Sequence, residues 1–378
     1  MFSSFVIAGF DCTCGRNRHG NRIDTVASTR HDEFVDADYR MLRTLKIRAA
    51  RDGISWPSIE RASGRYDWQG LDRLMAASQR NSVQVIYDLC HFGIPDGLDV
   101  FHPSFCEAFA TFCYEAATRL RRGVDGPLFI TPFNEPSYFA WAAGHAALFP
   151  PYETGRAMEM KVQIARAILT AIDAIWSVDA RATIVNVDPI CRAVAPRGQP
   201  DREAEAERFN AGAVMETWDM LSGRLFPDLG GSPRHLGVMG LNYYWTNQWE
   251  LGSEHLPLAE DDDRRWPLSR LFASVSQRYG APILLSETGH LGSLRASWVR
   301  TVTEQIRVAG VQGTQLLGVC FYPILGMPDW HEPERWLDMG LWDLSASGER
   351  MLHVEMHQAL AELLEMQSVI GASEERLS

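Results

Sequence analysis

Two glutamates in this chain end apolar runs in the same way. "PLFITPFNEP" delivers Glu135 between an amide and a proline, and "PILLSETGH" delivers Glu287 one residue beyond a run of branched apolar residues. A carboxylate at the end of a buried strand must either meet water or lie in a pocket. Taken singly, such a residue has an ordinary use as a surface or helix-capping group. A pair facing one another across a sugar-sized gap can do more. One, protonated near neutral pH, donates a proton to a leaving oxygen, and the other, ionised, attacks or stabilises an anomeric carbon. That division of labour requires surroundings that hold the two pKa values apart.

More polar and aromatic side chains fall at the ends of other apolar runs. Arg51 follows "KIRAA", His91 lies in "DLCHFGIP", and Asn134 precedes Glu135. Asn242 and Tyr244 end "LGVMGLNYY", while Tyr322, Asp329 and Trp330 lie in "YPILGMPDW". Asp11 follows the first run, with Arg16, Asn17 and His19 nearby. Singly, an arginine reads as a salt-bridge partner, a histidine as a satisfied core group, and Tyr or Trp as packing. Together they supply paired donors and acceptors for hydroxyls, and aromatic faces for pyranose C–H groups.

Eight apolar runs must position these residues: 4–10, 46–54, 83–92, 127–134, 182–190, 236–244, 282–287 and 316–324. Most are continuous rather than alternating, as expected of strands buried on both faces. Helical stripes lie between them, such as Phe105, Ala108, Phe109, Phe112, Cys113, Ala116 and Leu120, and Val162, Ala165, Leu169, Ile172 and Trp176. Eight strands alternating with helices predict an α/β fold, a (β/α)8 TIM barrel, as a single domain over residues 1–378. All the residues above then gather at the C-terminal mouth. The long connections 191–213 and 247–267 follow the fifth and sixth strands at that same end. The turn after the first strand, "GFDCTCGRNRHG", has no GxGxxG, which argues against an open sheet that binds a dinucleotide.

Composition bounds the partners. Of 378 residues 46% are hydrophobic, enough for a large core, and the net charge of −12 lacks the basic clusters that nucleic acid or an anionic membrane would require. Asp261-Asp262-Asp263 reads as a solvated loop. Seven cysteines without a CxxC pair read as buried free thiols, which with a short, uncharged N-terminus predicts a cytoplasmic protein. Cys12 and Cys14 form a CxC, but no further metal ligands are identifiable from sequence. The first strand carries no His-x-His, although His19 and His31 follow it closely, so no metal or cofactor is expected.

At these residues the chain resembles glycoside hydrolase family 1, the β-glucosidase family of the clan A barrels. "FNEP" matches the family's Asn-Glu-Pro after the fourth strand. "SETG" matches its Thr-Glu-Asn-Gly after the seventh in part, with Ser286 for Thr and Thr288 for Asn. "RDGISWPSIERASGRYDWQGLD", "DLCHFGIP", "WDMLSGRLFPD" and "MGLNYYWT" resemble further family segments, so the likeness runs over nearly the whole chain. It implies a retaining β-glycosidase with a carbohydrate substrate, Glu135 as acid/base and Glu287 as nucleophile. Asn134 is implied to bond the sugar 2-hydroxyl, Arg51 and Tyr244 to contact Glu287, His91 to bond a glycone hydroxyl, and Asp329 to stand where the family has a glycone-binding Glu. The family's glycone-reading Gln after the first strand has no clear match, and its eighth-strand Trp-Ser-Leu-Leu-Asp-Asn-Phe-Glu-Trp is replaced by "YPILGMPDW". Machinery kept beside an altered sugar-reading wall is the expectation. A transglycosidase using the same intermediate, a catalytically idle glycan-binding barrel and a metal-dependent hydrolase are the competing readings.

Overall fold

Eight parallel strands close into a barrel in a computed structural model that describes residues 1–62, 64–253 and 256–374. The strands are β1 (Val6–Gly9), β2 (Ala49–Gly53), β3 (Gln84–Asp88), β4 (Phe129–Thr131), β5 (Thr183–Pro189), β6 (Val238–Asn242), β7 (Ile283–Thr288) and β8 (Leu316–Phe321). Each pairs with its sequence neighbours, and β1 closes the ring against β8 through Val6–Val319, Ile7–Cys320 and Ala8–Phe321. Every expected run contains its strand, except that β7 extends one residue further, to Thr288.

The interior is filled, not hollow. Ile7, Ala49, Ile86, Phe129, Val187, Val238, Leu284 and Cys320, one from each strand, pack together below the mouth. Outward residues of the same strands pack against the helices, so these strands are apolar on both faces.

The helices that cover the barrel include α1 (His31–Thr44), α2 (Gln69–Asn81), α3 (Ser104–Gly123), α4 (Pro136–Gly144), α5 (Ala157–Val178), α6 (Leu268–Tyr279), α7 (Arg295–Val311) and α8 (Val354–Glu374). On α3 the predicted stripe is buried, apart from half-buried Ala108. On α5 the predicted Ala165, Leu169 and Ile172 are buried, and the buried face is wider than expected: Met160, Ile164, Ile168 and Ile175 add to it, while Val162 and Trp176 sit half-buried at its edges. The reason is that α5 packs along both α3 and α4, so one narrow stripe cannot cover its contacts.

The connections at the mouth form small ribbons that periodicity did not reveal. Arg192–Val194 pairs with Gln248–Glu250, which ties the two long connections to one another; residues 254 and 255 of the second lie outside those described. In the acidic triplet, Asp262 is held by Arg264 and Asp263 by Arg197. All seven cysteines are free thiols, and only Cys191 is more than slightly exposed. Among the described residues no helix is long and apolar enough to cross a membrane.

Candidate active site

β2 and β3 place two buried groups of opposite charge at the mouth. Arg51 faces inward, two residues above Ala49, and Asp88 ends β3, two above Ile86. Arg51 Nη2 donates to Asp88 Oδ2 at 2.5 Å and to Asn134 Oδ1 at 2.6 Å, and its Nη1 donates to Glu287 Oε1. Burial alone would lower the arginine's pKa; Asp88 and then Glu287 outweigh it and hold the guanidinium ionised. Burial likewise opposes ionisation of Asp88, but Arg51 and His91 pull its pKa below the ordinary carboxylate value.

Glu287 reaches the pocket by an irregularity. Leu284 faces the interior, and so does Ser286, whose Oγ donates to Asn242 Oδ1 at 2.7 Å. Strict alternation would turn Glu287 outward. The register of β7 shifts against both neighbours around this point, and Thr288 accepts a hydrogen bond from Trp298 of α7 instead. Glu287 therefore faces Arg51, while Tyr244 OH donates to its Oε2 at 2.9 Å. Burial, then the charge of Glu287, keeps Tyr244 a phenol. Gly289, just beyond, allows the chain to pass the Tyr322 carbonyl, which would lie 2.5 Å from any Cβ there.

Glu135 leaves β4 in the left-handed region, at φ 47°, a conformation that non-glycine residues seldom adopt and that recurs at functional sites. Pro136 then starts α4 with its missing N–H at a position that needs none. Asp188 at the end of β5 anchors this helix through Ser137, whose N and Oγ donate to it at 2.9 and 2.6 Å. Glu135 is half-buried as a whole, while its carboxyl lies inside the pocket and accepts from Asn242 Nδ2 at 2.8 Å. Burial and, second, the charge of Glu287 push its pKa well above the usual carboxylate range. One carboxyl is thus paired with a cation and a phenol, and the other is pushed toward the protonated form.

His91 completes the floor. Its Nδ1 lies 3.0 Å from Asp88 Oδ2, its Nε2 3.0 Å from Asn134 Nδ2, and Tyr322 stacks on its ring. The Asp11 carboxylate is fixed by Thr13 N and Thr25 Oγ1, and its charge is felt by His91, Tyr244 and Tyr322. Arg51, His91, Asn134, Glu135, Asn242, Tyr244, Glu287, Tyr322 and Asp11 are thus brought together. Asp329 and Trp330 are placed differently. The Asp329 Oδ1 accepts from His331 N and Glu332 N of its own loop, and Trp330 packs against Phe92, next to His91, and Phe149.

Sequence reading missed Asp88, Asp188 and Ser286. Both aspartates end apolar runs, "VQVIYD" and "TIVNVD", which is the same signal that identified Glu287. Cys12, Asp88 and His91 have potential metal-ligand atoms within 4.8 Å of one another. Asp88 Oδ2 is already shared between His91 and Arg51.

The family described as Glycosyl hydrolase family 1 matches residues 8–217, more than half the chain. That segment includes Arg51, Asp88, His91, Asn134 and Glu135. Lactase/phlorizin hydrolase from Homo sapiens is 30% identical over 155 residues, as is the protein of that name from Rattus norvegicus; the match spans 38% of this chain but only 8% of those relatives. A family 1 b-glucosidase from Thermotoga maritima superposes with a TM-score of 0.78 at 15% identity, covering 95% of this chain and 96% of that one. An enzyme termed AHE from Alicyclobacillus herbarius reaches 0.76 at 17% identity over 97% of this chain and 99% of its own. Likeness at such identity speaks for the barrel.

Proposed function

The chain belongs to glycosyl hydrolase family 1, and from that premise we propose that it hydrolyses a β-linked glycoside with retention of configuration. The observation that carries this reading is the asymmetry of the two carboxyls. Glu287 is held by Arg51 and Tyr244 as an oriented carboxylate, while Glu135 is biased toward its acid form.

In the first step an oxygen of Glu287 attacks the anomeric carbon, and the bond to the aglycone oxygen breaks as Glu135 gives that oxygen its proton. A glycosyl ester and the free aglycone alcohol result. With the ester formed, the negative charge that helped raise the pKa of Glu135 is gone, so Glu135 becomes a better carboxylate base. It then takes a proton from water, whose oxygen attacks the same carbon and releases Glu287. Two displacements restore the starting configuration. Asn134 and His91 supply polar contacts to the glycone, and Asp11 stands where the sugar-reading residues after the first strand differ from the family's.

A screen of nitrophenyl glycosides in both anomers, with the first-formed product followed by NMR, tests this. A β-glycoside giving the β-hemiacetal first is the expected result. An α-product would replace retention by inversion, and turnover of no glycoside would favour the idle glycan-binding reading.

A further inference from the structure

Four buried side chains at the base of the pocket bond in a closed ring. Arg51 Nη2 donates to Asp88 Oδ2, Asp88 Oδ2 faces His91 Nδ1, His91 Nε2 faces Asn134 Nδ2, and Asn134 Oδ1 returns to Arg51 Nη2. All four are 3% exposed or less. We propose that Asp88 is a positioning residue of the reaction: through His91 it aims the unshared N–H of Asn134 at the substrate. The inference deepens the glycosidase reading and rests on it.

With His91 neutral, the ring has one consistent assignment of donors. A neutral imidazole carries a single N–H, and the Asp88 carboxylate, which only accepts, draws it to Nδ1. Nε2 is then an acceptor, and it faces Asn134 Nδ2, which only donates. The amide cannot be turned over, because that would set its oxygen against Nε2 and its N–H2 against the Arg51 guanidinium. Each Nδ2 has two hydrogens, and the ring uses one. Asp88 therefore decides, at one remove, where the second points. Arg51 meanwhile divides its two terminal nitrogens between Asp88 and Glu287. With its cation shared between two carboxylates, Glu287 is oriented without being wholly neutralised.

Asp88 Oδ1 and Arg51 Nε bond no other side chain, so the ring's contacts run through Asp88 Oδ2 and the two terminal nitrogens of Arg51.

Asp88→Ala and Asp88→Asn in the full chain test the proposal. The first readout is kcat/KM on a dinitrophenyl glycoside and on its 2-deoxy counterpart. If Asp88 acts through Asn134 on the 2-hydroxyl, Asp88→Ala loses about 100-fold on the parent glycoside, the scale of a misplaced contact, and less than about 5-fold on the 2-deoxy one. Asp88→Asn keeps an acceptor toward both Arg51 and His91 and restores the ratio to within about 3-fold of the unaltered protein. Equal losses on both substrates would mean a structural role and would overturn the proposal. The second readout is the 15N spectrum of His91 at alkaline pH, assigned by His91→Gln. The Nδ1–H tautomer is expected, and it is lost in Asp88→Ala but kept in Asp88→Asn. An unchanged tautomer in Asp88→Ala would also overturn it. Asp88→Leu, of closer volume, replaces the alanine variant if that one does not fold. If the unaltered protein cleaves no glycoside, the proposed function fails on its own, and the histidine spectrum still decides whether Asp88 orders the ring.

Discussion

Arg51 and Asp52 are adjacent on β2, face opposite sides of the barrel wall, and each organises a buried charge network. Outside, Asp52 Oδ2 accepts from Tyr39 OH at 2.7 Å and faces His31 Nε2 at 2.8 Å, while its Oδ1 accepts from Gly53 N. His31 Nδ1 faces Asp38 Oδ2 at 2.7 Å, and Arg350 grips both oxygens of Asp38. Every polar atom of His31, Asp38, Asp52 and the Tyr39 hydroxyl has a partner. Inside, Arg51 joins Asp88, Asn134 and Glu287, and the network ends at a carboxylate that faces the mouth. The outer network closes on itself and holds α1 to the barrel and to Arg350. The inner one ends at groups that can meet a substrate. Burial of charge is common to both; what separates scaffold from site is where the network ends.

The comparison breaks if inner substitutions act on stability or outer ones on turnover. Glu287→Ala should have the largest effect, a fall in kcat/KM on the order of 10^5-fold for every glycoside, since no glycosyl ester can form. Azide filling the vacated space should yield a glycosyl azide of inverted configuration, read by NMR, with the melting temperature little changed. Glu135→Ala should follow, at about 10^3-fold on glycosides with poor leaving groups, with far smaller loss in the glycosylation step on dinitrophenyl substrates. Azide should then rescue the second step and give the retained product. An exchange of the two azide configurations would exchange the two roles.

The outer network predicts a stability effect with a definite sign. Burial alone would lower the His31 pKa, but Asp52 and Asp38 raise it from 6.5 to about 9. A raised folded-state value stabilises fully below the unfolded value of 6.5, and that contribution is lost as pH rises through about 9. The unaltered protein should therefore lose roughly 3 kcal/mol of unfolding free energy over that interval by denaturant titration, more than His31→Gln loses, and at each pH the folded variant should keep the kcat of the unaltered protein. Parallel pH curves for the two proteins would remove His31 from the scaffold. The smallest expected effect belongs to Asn242→Ala. Asn242 donates to Glu135 and lowers its pKa against the stronger push of burial and Glu287. Without it, the alkaline limb of kcat/KM should move to higher pH by less than about one unit, and movement to lower pH would contradict the assignment of that limb to Glu135.

Much of this was readable from order along the chain. A continuous apolar run can be satisfied only by burial on both faces, and eight such runs between amphipathic helices leave few alternatives to a closed parallel barrel. A polar residue that ends such a run emerges at the mouth, which is how Arg51, Asn134, Glu135 and Glu287 were identified without knowledge of their contacts. The same logic applies to Asp88, yet its carboxylate looked like any strand-end acid. Its significance lies in Arg51 and His91, and no spacing rule links a residue of one strand to the side-chain nitrogens of another. Asp329 differs from these, since its own loop closes on one oxygen of its carboxylate with backbone N–H groups, a contact no strand-end rule foresees.

Local periodicity and the one-dimensional order of strands suffice to define the elements and the end at which each polar residue emerges. Which way each group faces, and which charge state its neighbours impose, follow only from the closed barrel. The register shift in β7 turns Glu287 inward and Thr288 outward, against the alternation the strand would otherwise obey. The pKa of Glu135 rises because burial and Glu287 act on it together, across residues far apart in the chain. Both are consequences of distance and dielectric, quantities that come into being only when the barrel closes.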